Sequence, residues 1–414
     1  MNFPGRGCKD QNPGGVGQKV VASAVSVDQD ALRTAHSTTT LPTPSYWQYE
    51  AANDLELPVA KPRLPCAEKI LPYLRRIDQS RWYSNGGPLV QEFEARLAAH
   101  AGGGAVATVA NATVGMALAL LAYDLAPGSL CMVPAWTFAA TGHAIQLAGL
   151  VPLIVDVDAA SWALEPRVAR ELLRVAPGPV SAVVPVSPFG QPIDLGAWDS
   201  FRDETGLAVV IDAAAMFDTI KAAAIPSVVS LHATKVLGVG EGGFVISTDA
   251  GFIQELQKRA NFGFWGSRQA MVRSFNGKLS EYGGAVGLAA LDAWETIRAD
   301  FARVAAAYVE AFAGESRVML QEGFGTRWAN STVIVAVEDA GAEVVERELS
   351  AHRIGTRRWW GGGLHRHALF AKCPRGRTDQ TDALVEKVIG LPCWRDLPNG
   401  AIRKITEIVL SVSR

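Results

Sequence analysis

The sequence predicts an α/β fold in which a mostly parallel sheet is covered by helices on both faces and followed by a smaller α+β C-terminal domain. Three observations carry this expectation. Seven short apolar runs alternate with helical stretches between residues 107 and 247, the pattern of strand–helix–strand units. Beyond about Arg298 the pattern changes, with a strand-like STVIVAV at 331 and a helix near Ala342 to His352. The chain is also long: 414 residues exceed one compact core and suit about two domains of roughly 100–200 residues each.

Taken in order, residues 1–45 are rich in Gly, Ser, Thr, Gln and Asp without periodic apolar positions, and read as a flexible tail of no assignable role. Ile70, Leu71, Leu74 and Ile77 recur at helical spacing, and Val90, Phe93 and Leu97 repeat it after the Gly86-Gly87-Pro88 break, so two helices open the folded part. The seven apolar runs are ATVA at 107, LCMVP at 130, VPLIVDV at 151, AVVPV at 182, AVVID at 208, SVVSL at 227 and GFVIS at 243. They predict a seven-stranded sheet. Helical patterns follow from Gly251 to about Phe262 and from Glu281 through Tyr308. The expected division is a tail over 1–45, a large domain over 46–297 and a small domain over 298–414.

Composition narrows the function. With 39 Lys+Arg against 41 Asp+Glu, the formal charge of −2 provides no field suited to nucleic acid or an anionic membrane, so small molecules are the expected partners. Hydrophobic residues at 49% with 19% charged indicate a large buried interior and room for an extensive subunit contact. The five cysteines are odd in number, widely spaced and without a C-x-x-C pair, which suggests neither a disulfide framework nor a metal site and fits a reducing cytoplasm. The N-terminus lacks the apolar stretch of a signal peptide. The longest apolar run, Ala105 to Ala126, is interrupted by Thr108, Asn111 and Thr113 and reads as buried core rather than a membrane span.

The stretch SLHATKVLGVGEGGFVIS, Ser230 to Ser247, places Lys235 in a loop between two apolar strands, where α/β sheets bind ligands. Alone, Lys235 would read as a surface lysine. Gly238, Gly240 and Gly243 form a G-x-G-x-x-G pattern, but they run into a strand instead of opening a helix, so they read as compact backbone and not as a dinucleotide turn. Upstream, Asp212 ends the run VVID, where a carboxylate could hold a pyridinium nitrogen protonated; a cap or turn aspartate is the plainer alternative. At Asn111-Ala112-Thr113 a strand passes into a helix, a junction whose free N–H groups can cradle a phosphate, with simple capping by Asn111 as the competing reading.

Nine motifs in order, W-Y-S-N-G-G-P near Trp82, N-A-T at Asn111, V-P-A-W-T-F at Val133, V-D-V-D at Val155, F-G-Q-P at Phe189, I-D-A-A at Ile211, S-L-H-A-T-K at Ser230, G-E-G-G at Gly240 and N-G-K-L-S-E at Asn276, resemble the DegT/DnrJ/EryC1/StrS aminotransferases. These belong to the fold-type I enzymes that use pyridoxal 5'-phosphate. The likeness covers roughly residues 55 to 410. It implies that Lys235 holds the cofactor as a Schiff base, that Asp212 pairs with the pyridine nitrogen, and that Ala112, Thr113 and Ser230 bind the phosphate. It further implies that Phe138 stacks on the ring while Trp136 is core, and that Asn276 reaches the phosphate of a neighbouring subunit, which makes a homodimer with shared active sites the expected partner arrangement. His232 reads as a structural hydrogen-bonding group.

Arg357, Arg358 and His365 fall where the family has an Arg-aromatic-Leu-His segment near the substrate, and are expected to bind it; packing of Arg on Trp is the alternative. Two departures stand out. Ala215 replaces the usual Gln or His, and the Asp212 to Lys235 stretch is shortened. The implied activity moves an amino group from an L-amino acid, glutamate foremost, to a nucleotide-linked keto sugar. The related sugar dehydratases carry histidine at the lysine position, so Lys235 implies amino transfer. Another keto acceptor, or a cofactor-binding regulator of low activity, are the alternatives.

Overall fold

Apolar residues at both β and helical periods set the architecture of the computed structural model, which describes residues 55–338 and 341–413. The tail expected over 1–45 lies outside the described residues. Two helices, α1 (Ala67–Ser80) and α2 (Pro88–His100), open the described chain where apolar spacing predicts them. Pro88 sits at the first position of α2, where its missing N–H costs nothing, and the helix buries Leu89, Val90, Phe93 and Leu97. No side chain at its start caps it. Instead the carboxylate of Glu281, only 1% exposed, accepts from the N–H of Leu89 at 2.8 Å and of Val90 at 3.0 Å.

The chain then alternates: β1 (Ala105–Val109), α3 (Ala112–Ala122), β2 (Leu130–Pro134), α4 (Ala139–Leu147), β3 (Val151–Val155), α5 (Pro166–Leu173), β4 (Val180–Val183), α6 (Leu195–Thr205), β5 (Ala208–Val209), β6 (Ile211–Asp212), β7 (Ser227–Ser230) and β8 (Gly243–Ser247). One sheet runs β3-β2-β4-β5 and is wholly parallel; a second runs β1-β8-β7-β6, with β6 and β7 parallel and β8 antiparallel to both of its neighbours. Only Val210 separates β5 from β6. Its N–H bonds Val183 and that of Asp212 bonds Pro185, while Ile211 and Ala213 donate to Pro226 and Val228 on the other side. Hydrogen bonding therefore passes from one four-stranded sheet to the other through residues 208–213, and each of the seven apolar runs lies in this arrangement.

Side chains alternate across the sheet, as the two-residue strand period requires. Met132, Phe244 and Ile246 enter a core that reaches from Ile77 to Val409, whereas Cys131, Val133 and Val245 enter a second one shared with Met116 and Leu118 of α3 and Ile145 of α4. Both faces are thus covered.

The remaining elements are α7 (Ala250–Ala260), α8 (Glu281–Asp292), α9 (Trp294–Ala311), β9 (Val318–Leu320), β10 (Val333–Val337), α10 (Ala342–Ala351), α11 (Asp379–Lys387), β11 (Val388–Leu391) and α12 (Asn399–Val412). The single helical pattern expected from Glu281 through Tyr308 divides at Ala293, beside which Trp294 is buried against His100 and Phe217. Strands β9, β10 and β11 form an antiparallel sheet of three in the order β11-β10-β9. No helix among the described residues is long and apolar enough to cross a membrane.

Candidate active site

Asp212 ends β6, Ser230 ends β7, and Lys235 follows in the loop that leads to β8. That loop is a tight return. Leu231 donates to Gly242, Ala233 to Gly240, Val239 to Leu231 and Lys235 to His232. Gly240 adopts φ +102°, and a Cβ on Gly238 would come within 3.0 Å of the Ala233 backbone. The clustered glycines serve backbone compactness, and Gly243 starts a strand, so the dinucleotide pattern is excluded.

Asp212 is 5% exposed, yet its carboxylate is bonded on both oxygens. Oδ2 accepts from the Thr141 hydroxyl at 2.7 Å and Oδ1 from the Ala214 N–H at 3.1 Å. Burial pushes its pKa up, opposed by those two bonds and by the Lys235 ammonium. For Lys235, burial pushes the pKa down, opposed by the Asp212 carboxylate. Each group therefore feels the charge of the other, and the structure brings the predicted lysine and aspartate to one place.

The other expected site residues are placed by their own elements. Ala112 and Thr113 open α3; Asn111 caps it by accepting from Val114 at 2.9 Å, so capping and a phosphate cradle coexist. Among the described residues nothing accepts from the N–H groups of Ala112 and Thr113, which point from the positive end of an 11-residue helix. Ser230, buried, accepts from the His232 N–H at 3.2 Å. His232 itself pairs through Nδ1 with the Thr234 hydroxyl at 2.8 Å, a local structural bond. Phe138 leaves its ring 59% exposed at the start of α4, whereas Trp136 is buried. Asn276 is exposed, next to Gly277, whose carbonyl accepts from Ala110 at 2.7 Å.

The C-terminal trio is not joined to Lys235 or Asp212 by the interactions it makes. Arg357 is exposed and lies over the Trp359 ring at 4.8 Å. Arg358 donates to the Val385 carbonyl and lies 4.0 Å from Glu346. His365, 5% exposed, pairs with Asp382 at 3.1 Å and keeps its Nδ1 without a partner. A small cleft does reach Lys235, lined also by Lys61, Arg63, Ser331, Trp394 and Arg395.

Sequence reasoning passed over three polar side chains. Thr141 and Thr137, both buried, stand behind Asp212; a threonine in a first helical turn carries no signal of its own. Asn330 donates to the carbonyls of Ala215 and Phe189, so the backbone of the departing residue 215 is held although its side chain is apolar.

The geometry suits a phosphate-bearing pyridine aldehyde. A buried carboxylate can face a ring nitrogen, an amine of lowered pKa can condense with the aldehyde, and an uncompensated helix N-terminus can take the phosphate. Gly243 tests the cradle. A Cβ there would meet Ala112 N at 2.8 Å, Asn111 C at 3.0 Å and Val229 O at 3.0 Å, all of them backbone atoms that cannot yield. Gly243→Ala is expected to cost ~1–3 kcal/mol of stability and to weaken cofactor binding by displacing the start of α3; thermal unfolding with and without cofactor reads both.

Fold and site together are those of a pyridoxal-phosphate-dependent aminotransferase. Residues 66–410 match the model of the DegT/DnrJ/EryC1/StrS aminotransferase family, and the chain belongs to that family. It is 26% identical over 373 residues to the dTDP-4-amino-4,6-dideoxy-D-glucose transaminase of Escherichia coli, covering 86% of this chain and 99% of that relative. Among solved structures, a Bacillus cereus protein described as a candidate PLP-dependent aminotransferase superposes with a TM-score of 0.81 at 26% identity, over 85% of this chain and 99% of its own. DesI, solved in the presence of its TDP-sugar product, gives 0.75 at 30% identity, over 86% and 93%.

Proposed function

We propose that this enzyme transfers an amino group from L-glutamate to the keto group of a nucleotide-linked sugar. The observation that carries the reading is the placement of Asp212, bonded on both carboxylate oxygens, at the end of β6 and of Lys235 in the loop after β7, together with the open N-terminus of α3. The E. coli relative and DesI, named for dTDP- and TDP-sugar chemistry, support the acceptor class.

Lys235, Asp212, Ala112, Thr113, Phe138 and Ser230, with Asn276 of a second copy, would hold pyridoxal 5'-phosphate, which would supply an electron sink at the substrate carbon. Lys235 Nζ would take and return a proton at the substrate carbon, and burial, by lowering its pKa, favours the neutral amine that this needs. Asp212 keeps the ring nitrogen protonated. Phe138, exposed, would cover one ring face and exclude water from it. Ala112, Thr113 and Ser230 hold the phosphate.

Asn276, exposed on this chain, completes the phosphate site of a second copy; exposed Trp82, Tyr83 and Tyr282 supply apolar surface for that contact. The acceptor enters along the cleft beside Lys235, which is lined by residues 60–63, 233–236 and 393–395. Of the substrate residues expected in the C-terminal part, Arg357 is the one with a free guanidinium to offer, since Arg358 holds the Val385 carbonyl and His365 is buried against Asp382.

Incubation with glutamate is expected to bleach the visible cofactor band, and addition of a nucleotide-linked keto sugar to restore it. If only a small keto acid or a keto cyclitol restored the band, the acceptor assignment would be wrong. No response to any amino donor would point to a cofactor-binding regulator of low activity.

A further inference from the structure

The Asp212 carboxylate is not free to choose its orientation. Thr141, in the first turn of α4, places Oγ1 2.7 Å from Asp212 Oδ2 and 2.8 Å from Thr137 Oγ1. All three side chains are buried: Thr137 and Thr141 are each 1% exposed and Asp212 5%. An ionised carboxylate only accepts, so the single hydroxyl proton of Thr141 points to Asp212. Thr141 must then accept from Thr137, and the direction of the chain is forced.

The other oxygen is held separately by the Ala214 N–H at 3.1 Å. Rotation of the carboxylate would break both bonds. Two donors occupy only part of the roughly four acceptor positions of a carboxylate, which leaves capacity for a ring N–H. The same turn carries Phe138, whose ring is exposed while the hydroxyls on either side of it point inward.

We infer that Thr141, backed by Thr137, is a positioning residue that orients the Asp212 carboxylate toward the cofactor ring. This rests on the cofactor reading above. A purely structural pair would matter for stability alone. An orienting pair matters for how tightly the ring is held and for its colour, because both depend on the protonated ring nitrogen facing a fixed negative charge.

The test uses the full chain and pyridoxal 5'-phosphate, with Thr141→Val, Thr141→Ser, Thr137→Val and Thr137→Ser. Absorbance titration gives the cofactor Kd, the spectrum of the loaded protein gives the visible band, and thermal unfolding of cofactor-free protein reports the structural contribution. Thr141→Val is expected to raise Kd about tenfold, the factor equivalent to ~1.4 kcal/mol, and to weaken the visible band. Thr141→Ser, which keeps the hydroxyl, restores both. Thr137→Val acts in the same direction by about threefold, and Thr137→Ser has no effect. The inference is overturned if Thr141→Val binds cofactor with unchanged Kd and spectrum, or if Thr141→Ser is as impaired as Thr141→Val. Should Thr141→Val fail to fold, an unchanged Kd in Thr137→Val overturns the relay. Wild-type protein that takes up no cofactor at all would instead refute the cofactor reading itself.

Discussion

Lys235→Ala is expected to lower transamination by ~10³-fold or more and to abolish covalent retention of the cofactor. Two functions rest on one Nζ atom. As the proposed nucleophile it would condense with the cofactor aldehyde, and burial helps by lowering its pKa toward the neutral amine, although the Asp212 carboxylate pulls in the opposite direction. As the proposed acid–base group it would move the proton at the substrate carbon, a contribution typically of ~10²–10⁴-fold. Lys235→Arg restores the positive charge but not the chemistry, since a guanidinium stays protonated. Borohydride reduction followed by peptide mass mapping checks the claim: the wild type should carry the label on the Lys235 peptide and both variants should carry none. A label retained by Lys235→Ala, at any other lysine, removes Lys235 from the mechanism.

Asp212→Asn is the second large effect. The amide keeps the size of the side chain and can still accept from Thr141, but it removes the negative charge and turns one bonded oxygen into a donor facing the Ala214 N–H. A charge fixed where the transition state needs it is worth ~10²–10³-fold in rate, and a loss of that size is expected in the half-reaction with glutamate. A second consequence follows from the coupling. In wild type the carboxylate raises the pKa of Lys235 against the lowering by burial, so its removal leaves burial unopposed and the lysine pKa falls further. Stopped-flow measurement of the half-reaction across pH reads both. A rate within about threefold of wild type would show that Asp212 does not serve the ring nitrogen.

Much of the site is visible in the linear chain because its elements are local. A strand-end aspartate, a lysine in a glycine-rich loop and a strand passing into a helix at Asn111 each occupy a few adjacent residues, and each lies where its motif places it. Other contacts join residues far apart in the sequence. Thr141 and Asp212 are separated by 71 residues, Asn330 and Ala215 by 115, and Glu281 and Leu89 by 192. Nothing in the composition near Thr141 distinguishes it from any helical threonine. The trio Arg357, Arg358 and His365 illustrates the converse. Their spacing marks a cluster of charge and aromatic rings, but only packing shows that Arg358 is engaged by Val385 and that His365 leans on Asp382.

Apolar periodicity along the chain suffices for the strand and helix order and for a mostly parallel sheet, since a run of β-period or helical residues must bury its face wherever it lies. The break at Ala293, the passage of hydrogen bonds across residues 208–213 and the donors around Asp212 are a different matter. They depend on which buried polar groups meet once the layers close, because a carboxylate removed from water takes whichever N–H or O–H the packed neighbours present.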